Sequence, residues 1–147
     1  MRVPVVLLAG FLGSGKTSLL NALLSARPAS DAGTLAVIVN EFGDVGVDAS
    51  LLPAGAAQPI ELAGGCICCA LDEDLKTTLL GLLDRQTAIA RVLIETSGIA
   101  EPLPISWTLE TPELVQRVRL DAVVTVVDAV EHLASRAHTP SVKEQVK

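Results

Sequence analysis

Apolar residues along this chain of 147 residues fall into short unbroken runs, separated by stretches with helical spacing. Val3–Ala9 is a continuous apolar run, as expected of a strand covered on both faces. Leu35–Val39 reads as a second strand of the same kind, Arg91–Ile94 and Ala122–Val127 as a third and a fourth strand, and Pro59–Leu62 as a short one. Between them, Lys16–Ala26 carries Leu19, Leu20, Leu23 and Leu24 on one side, which predicts a helix. Asp72–Gln86 is a strongly amphipathic helical segment, with Leu71, Leu75, Leu79, Leu82 and Leu83 at helical spacing and acids in its first turn. Thr111-Pro112-Glu113 has the cap residue and the proline that open a short helix. Glu41–Pro59 is a long loop, of a length that usually carries function.

Strands alternating with helices predict an α/β fold: a doubly wound, mostly parallel sheet in a Rossmann-like three-layer arrangement. Such sheets bind ligands beyond the carboxyl ends of their strands. Composition narrows the picture further. Half the residues are apolar, enough for one domain with a real core. A net charge of -6 with no Lys/Arg run argues against nucleic acid as a partner. The longest apolar runs are strand-sized, so no membrane span is expected. The run after Met1-Arg2 leads into a glycine-rich motif instead of a cleavage site, and the chain reads as cytoplasmic.

That motif is Gly10-Phe11-Leu12-Gly13-Ser14-Gly15-Lys16-Thr17, a match to G-x-x-x-x-G-K-[ST] between a strand and a helix. The expected phosphate-binding residues are Gly10, Gly13, Ser14, Gly15, Lys16, Thr17 and Ser18. Glycines let backbone N–H groups turn towards phosphate oxygens, and the helix N-terminus adds its dipole. Lys16 is expected to reach the β- and γ-phosphates, and the Thr17 hydroxyl to ligate Mg²⁺. Glu95 ends a strand, and Gly98 follows three residues later. Phosphate-bond hydrolases place a carboxylate there, near Mg²⁺ or the attacking water, and a glycine N–H near the γ-phosphate. Lys16, Glu95 and Gly98 are therefore the catalytic candidates. Glu41, Asp44 and Asp48 lie in the loop after the second strand, where they would complete a metal shell or stand as ordinary turn residues. Asp128 resembles a further Mg²⁺ carboxylate, but its spacing to Glu131 favours a helix cap. His132 and His138 read as surface residues.

The cysteines are the most concentrated feature: Cys66, Cys68 and Cys69 lie within one run, after Gly64-Gly65. Thiolates favour zinc, and also Cu(I). Metal-binding, structural and redox readings all remain open, with metal favoured in a reducing compartment. Three ligands leave a fourth position, which Glu41 or a partner protein would supply.

Taken together, these motifs resemble the CobW-like GTPase family, the metallochaperone branch of the SIMIBI P-loop proteins. The resemblance runs in order through Gly10–Thr17, Asn40-Glu41-Phe42-Gly43, Gly64–Cys69, Glu95–Pro102 and Val126–Ala129. It implies GTP hydrolysis with Mg²⁺, with Zn²⁺ or Co²⁺ bound at the Cys-x-Cys-Cys motif. It further implies metal transfer to a client metalloprotein or to a cofactor-assembly enzyme, as in cobalamin synthesis; a homodimer is one candidate assembly, which the sequence does not decide. Family members also carry an Asn-Lys-x-Asp element that reads guanine, followed by a C-terminal domain. On that pattern, residues 1–147 correspond to the N-terminal nucleotide-binding GTPase domain, incomplete, with those later parts absent. The competing expectation is a P-loop small-molecule kinase with structural cysteines.

Overall fold

The computed structural model of the chain describes residues 1–26, 34–39, 60–61, 70–85, 89–98 and 102–129. Its strands are β1 (Val3–Gly10), β2 (Thr34–Val39), β3 (Ile60–Glu61), β4 (Ile89–Glu95) and β5 (Val118–Val126). Its helices are α1 (Lys16–Ala26), α2 (Ala70–Arg85) and α3 (Pro102–Leu109). The strands form one sheet in the order β3-β2-β4-β1-β5, with every pairing parallel.

Side chains alternate across a strand, so each apolar run feeds two cores. Val5 and Leu7 of β1, Ala36 and Ile38 of β2, and Val92 and Ile94 of β4 pack with Leu75, Leu79 and Leu82 of α2 and Ile105 and Leu109 of α3. Leu8, Val37, Val39 and Leu93 face the other way, against Leu20 and Leu24 of α1. The result is the expected doubly wound three-layer arrangement. Because both faces are covered, the central strands read as unbroken apolar runs.

α1 spans the residues expected from sequence, although Leu23 is exposed instead of sharing the buried side with Leu20 and Leu24. Three further departures have physical reasons. β5 begins at Val118, four positions before the expected Ala122. Residues 119–124 are exposed at the sheet edge, which tolerates Arg119 and Asp121. The pairing with β1 shifts register between Val5 and Val6, so that Asp121 is the extra residue of a bulge. Asp121 there joins Arg119, its neighbour on β5, and Arg91, two strands away at 3.7 Å.

α3 has no counterpart among the elements expected from sequence, and it contains Pro102 and Pro104. Both sit in its first turn, where backbone N–H groups have no partner inside the helix. Conversely, the helix expected at Thr111 is a pair of tight turns, with Leu114 and Val115 N–H groups on the Thr111 carbonyl. The Thr111 hydroxyl donates back to the Thr108 carbonyl at 2.9 Å, so it is committed to the end of α3 instead of capping a new helix.

The turn leading to β5 is tied to α2 by Lys76–Glu113 at 2.9 Å and Arg117–Asp84 at 2.8 Å. Among the described residues, no helix is long and apolar enough to cross a membrane. The Lys76 hydrogen bond, with help from its own backbone N–H, holds the Glu113 carboxyl below its ordinary range. A depressed carboxyl pKa contributes stability above the ordinary carboxylate range, and that contribution is lost as pH falls through the depressed value. Titration of Glu113 by NMR is expected to show a lowered midpoint that Lys76→Met moves back up. A midpoint indifferent to Lys76 would contradict this pairing.

Candidate functional site

Strands β4, β1 and β5 lie side by side, and their carboxyl ends form the platform for the glycine-rich loop. The loop leaves β1 at Gly10, which pairs with Val126 of β5. Gly10 has φ 142°, a conformation L side chains rarely adopt. A β-carbon there would also lie 2.4 Å from the Val126 carbonyl oxygen and 2.7 Å from Ser14 Oγ. Only glycine lets the loop turn so close to the neighbouring strand. Gly13 and Gly15 also take positive φ, which carries the main chain round to the first turn of α1. A turn closes from Ser14 N–H to the Phe11 carbonyl at 3.1 Å, and the first helical bond runs from Leu19 N–H to Gly15 at 2.9 Å.

The side chains placed by this turn are polar and enclosed. Lys16 is only 7% exposed, and its ammonium donates to the Phe11 carbonyl of the same loop at 3.2 Å. The cation is thus held inside the loop's curve, where phosphate oxygens would replace or join the carbonyl. Thr17, one residue into α1, donates its hydroxyl to Glu95 Oε1 at 2.7 Å. Glu95 is fully buried at the end of β4, level with Leu8 of β1 and Val39 of β2. It follows Leu93 on the α1 side of the sheet, which aims the carboxylate under the loop. Buried carboxylates are rare unless a partner or a cation accompanies them. A hydroxyl and a carboxylate at this separation, beside a cradle of N–H groups, suit Mg²⁺ carried in with phosphates.

Ser14 Oγ is buried without a hydrogen bond and lies towards Gly10 and Val126, so Ser14 serves the loop through its main chain. Ser18 is exposed on the first turn of α1. Thr96, which was not singled out from sequence, fastens the segment after β4. Its N–H and hydroxyl both donate to the Leu8 carbonyl, at 3.0 and 3.4 Å. Gly98 is buried two residues further on. The structure therefore brings Gly10–Thr17, Glu95 and Gly98 together. Asp128 lies just past the end of β5, and the helix it was expected to cap falls outside the described residues. Glu41, Asp44, Asp48, Cys66, Cys68, Cys69, His132 and His138 also lie outside them. Among the described residues, no group of three or more His, Cys, Asp or Glu side chains is placed to hold a metal ion.

With this geometry in hand, comparison with known proteins decides the family. The profile of the CobW/HypB/UreG nucleotide-binding domain matches residues 4–147. The chain belongs to that family. It is 38% identical over 141 residues to the zinc chaperone CobW of Sinorhizobium sp, covering 92% of this chain and 39% of that protein. It is 44% identical over 133 residues to the zinc chaperone YjiA of Escherichia coli K12, covering 87% and 41% respectively. The crystal structure of the Zn(II)-bound YjiA GTPase from E. coli superposes with a TM-score of 0.71 at 32% identity, over 99% of this chain and 46% of that one. The chain thus spans about two-fifths of the length of these curated relatives.

Gly10→Ala tests the loop geometry directly. The forced φ and the contact with Val126 are expected to cost about 1–3 kcal/mol, seen as a lowered melting temperature, together with loss of nucleotide binding. Full binding by Gly10→Ala would contradict the close approach of Gly10 to β5.

Proposed function

We propose that residues 1–147 form the nucleotide-binding domain of a GTP-hydrolysing metal chaperone. The observation that carries this reading is the Thr17–Glu95 hydrogen bond of 2.7 Å beneath a phosphate loop, in a chain of this family. Main-chain N–H groups of Gly13, Gly15, Lys16 and Thr17 would hold the phosphates while Ser14 N–H closes the turn on Phe11, and the Lys16 ammonium would sit against the β- and γ-phosphate oxygens. Thr17 and Glu95 would hold Mg²⁺, which offsets the charge that builds between the phosphates. Gly98 would place its N–H beside the third phosphate, and Glu95 would orient the attacking water or the cation next to it. Ser18, at the helix N-terminus, would add a main-chain N–H to the phosphate cradle. Membership of this family favours water over a small-molecule acceptor, and so hydrolysis over the kinase reading.

The cargo in this proposal is Zn²⁺, with Co²⁺ as the second candidate, bound by Cys66, Cys68, Cys69 and Glu41. Support comes from the thiolate-rich sequence and from relatives whose names describe zinc chaperones. Delivery would be to a client metalloprotein or a cofactor-assembly enzyme in the cytoplasm, with cobalamin synthesis one such setting and a homodimer as the working assembly. Nucleotide and metal would be linked through residues 96–98, which follow Glu95 directly and would respond to the third phosphate.

The test is to titrate Zn²⁺ into the protein loaded with GDP, and again with a non-hydrolysable GTP analogue. Affinities differing by about tenfold are expected. Equal affinities would sink the linkage, since a ligand without differential affinity shifts nothing.

A further inference from the structure

Residues 96–98 are clipped to the chain on both sides of Gly10. Upstream, Thr96 donates twice to the Leu8 carbonyl. Downstream, Gly98 rests on the main chain of Leu12, inside the phosphate loop. A β-carbon at Gly98 would lie 2.6 Å from Leu12 N, 2.6 Å from Leu12 Cα and 2.9 Å from Leu12 Cβ. The Leu12 side chain itself points away, with the residue 66% exposed. Its contribution to this contact is therefore its backbone and β-carbon, between loop glycines that turn the chain on either side.

We infer that Leu12 is a positioning residue: its main chain and β-carbon form the seat that fixes where Gly98 presents its N–H to the third phosphate. This rests on the nucleotide-hydrolysis reading above and deepens it. A diphosphate would be held by the loop and Lys16 without reaching Gly98. A third phosphate extends from the loop towards residues 95–98, so only triphosphate binding depends on how firmly Gly98 is seated. The atoms nearest to a β-carbon placed at Gly98 all belong to Leu12, whose own β-carbon stiffens that part of the loop. Replacing it with glycine frees the backbone and removes one wall of the seat.

The experiment measures affinity for GDP and for a non-hydrolysable GTP analogue by calorimetry, with Mg²⁺, in the wild-type protein and four variants. Leu12→Gly is expected to lower the ratio of triphosphate to diphosphate affinity by about two- to fivefold, through added backbone freedom. Leu12→Ala, which keeps the β-carbon, recovers the ratio. Gly98→Ala lowers it by about tenfold, through overpacking against Leu12. The Leu12→Gly/Gly98→Ala double variant stays as low as Gly98→Ala, because the 2.6 Å contacts are to backbone atoms that Leu12→Gly retains. A merely structural role for Leu12 would weaken both nucleotides together and leave the ratio unchanged in Leu12→Gly, which would overturn the inference. So would a double variant restored to the wild-type ratio. Failure of the wild-type protein to bind either nucleotide overturns the nucleotide reading itself, and is distinguished from both by the wild-type titration alone.

Discussion

The Thr17–Glu95 hydrogen bond is the contact on which the site's organisation depends. It joins the first turn of α1 to the end of β4, over the carboxyl end of β1. A buried carboxylate costs several kcal/mol unless it is paired or meets a cation. Placing Glu95 in a fully covered position therefore commits the surrounding fold to supplying donors there. The glycine-rich loop meets that demand by bringing Thr17 onto the carboxylate and Lys16 into the loop's curve. The loop in turn closes so tightly only because Gly10 packs against Val126 of β5. Strand order, helix position and loop chemistry are thus one constraint expressed at three levels.

The same constraint explains why β4, β1 and β5 must be adjacent and parallel. Glu95 comes from β4, the loop from β1 and the Val126 carbonyl from β5. Two apolar cores, one on each face, hold these three strand ends in register. The ion pair of Asp121 with Arg91 joins β4 to β5 across β1 at the opposite end of the sheet, and Arg119 holds Asp121 from within β5. Exposed pairs of this kind contribute up to about 1 kcal/mol each, so the apolar faces carry the sheet and the charges steady its register.

Much of this was legible in the sequence because buried strands and a phosphate loop leave strong patterns. The Val3–Ala9 run, the Lys16–Ala26 helix and the Gly10–Thr17 motif all lie where apolar periodicity and glycine spacing put them. What escaped the pattern was decided by context. Arg119 and Asp121 hide the first half of β5, because an edge strand exposes its side chains. Two prolines hide α3, because the first turn of a helix needs no N–H donors. The candidate site was legible where side chains act, at Lys16, Thr17 and Glu95. It was not legible where the main chain acts: the Phe11 carbonyl under Lys16, the Leu8 carbonyl under Thr96 and the Leu12 backbone under Gly98 carry no residue signature. The cysteine run stands differently. Its chemistry is plain from composition, and its tie to the nucleotide rests on the family and on the proposal built upon it.

On the proposed function, Thr17 and Glu95 act as one unit that receives Mg²⁺ with the nucleotide's phosphates. The most direct measurement is GTP-analogue affinity as a function of Mg²⁺ concentration, in the wild-type protein and in Glu95→Gln, which keeps the shape and removes the charge. Wild-type affinity is expected to rise with Mg²⁺, and Glu95→Gln to bind with little Mg²⁺ dependence while retaining GDP binding in the absence of Mg²⁺. An identical Mg²⁺ dependence in the two proteins would contradict it.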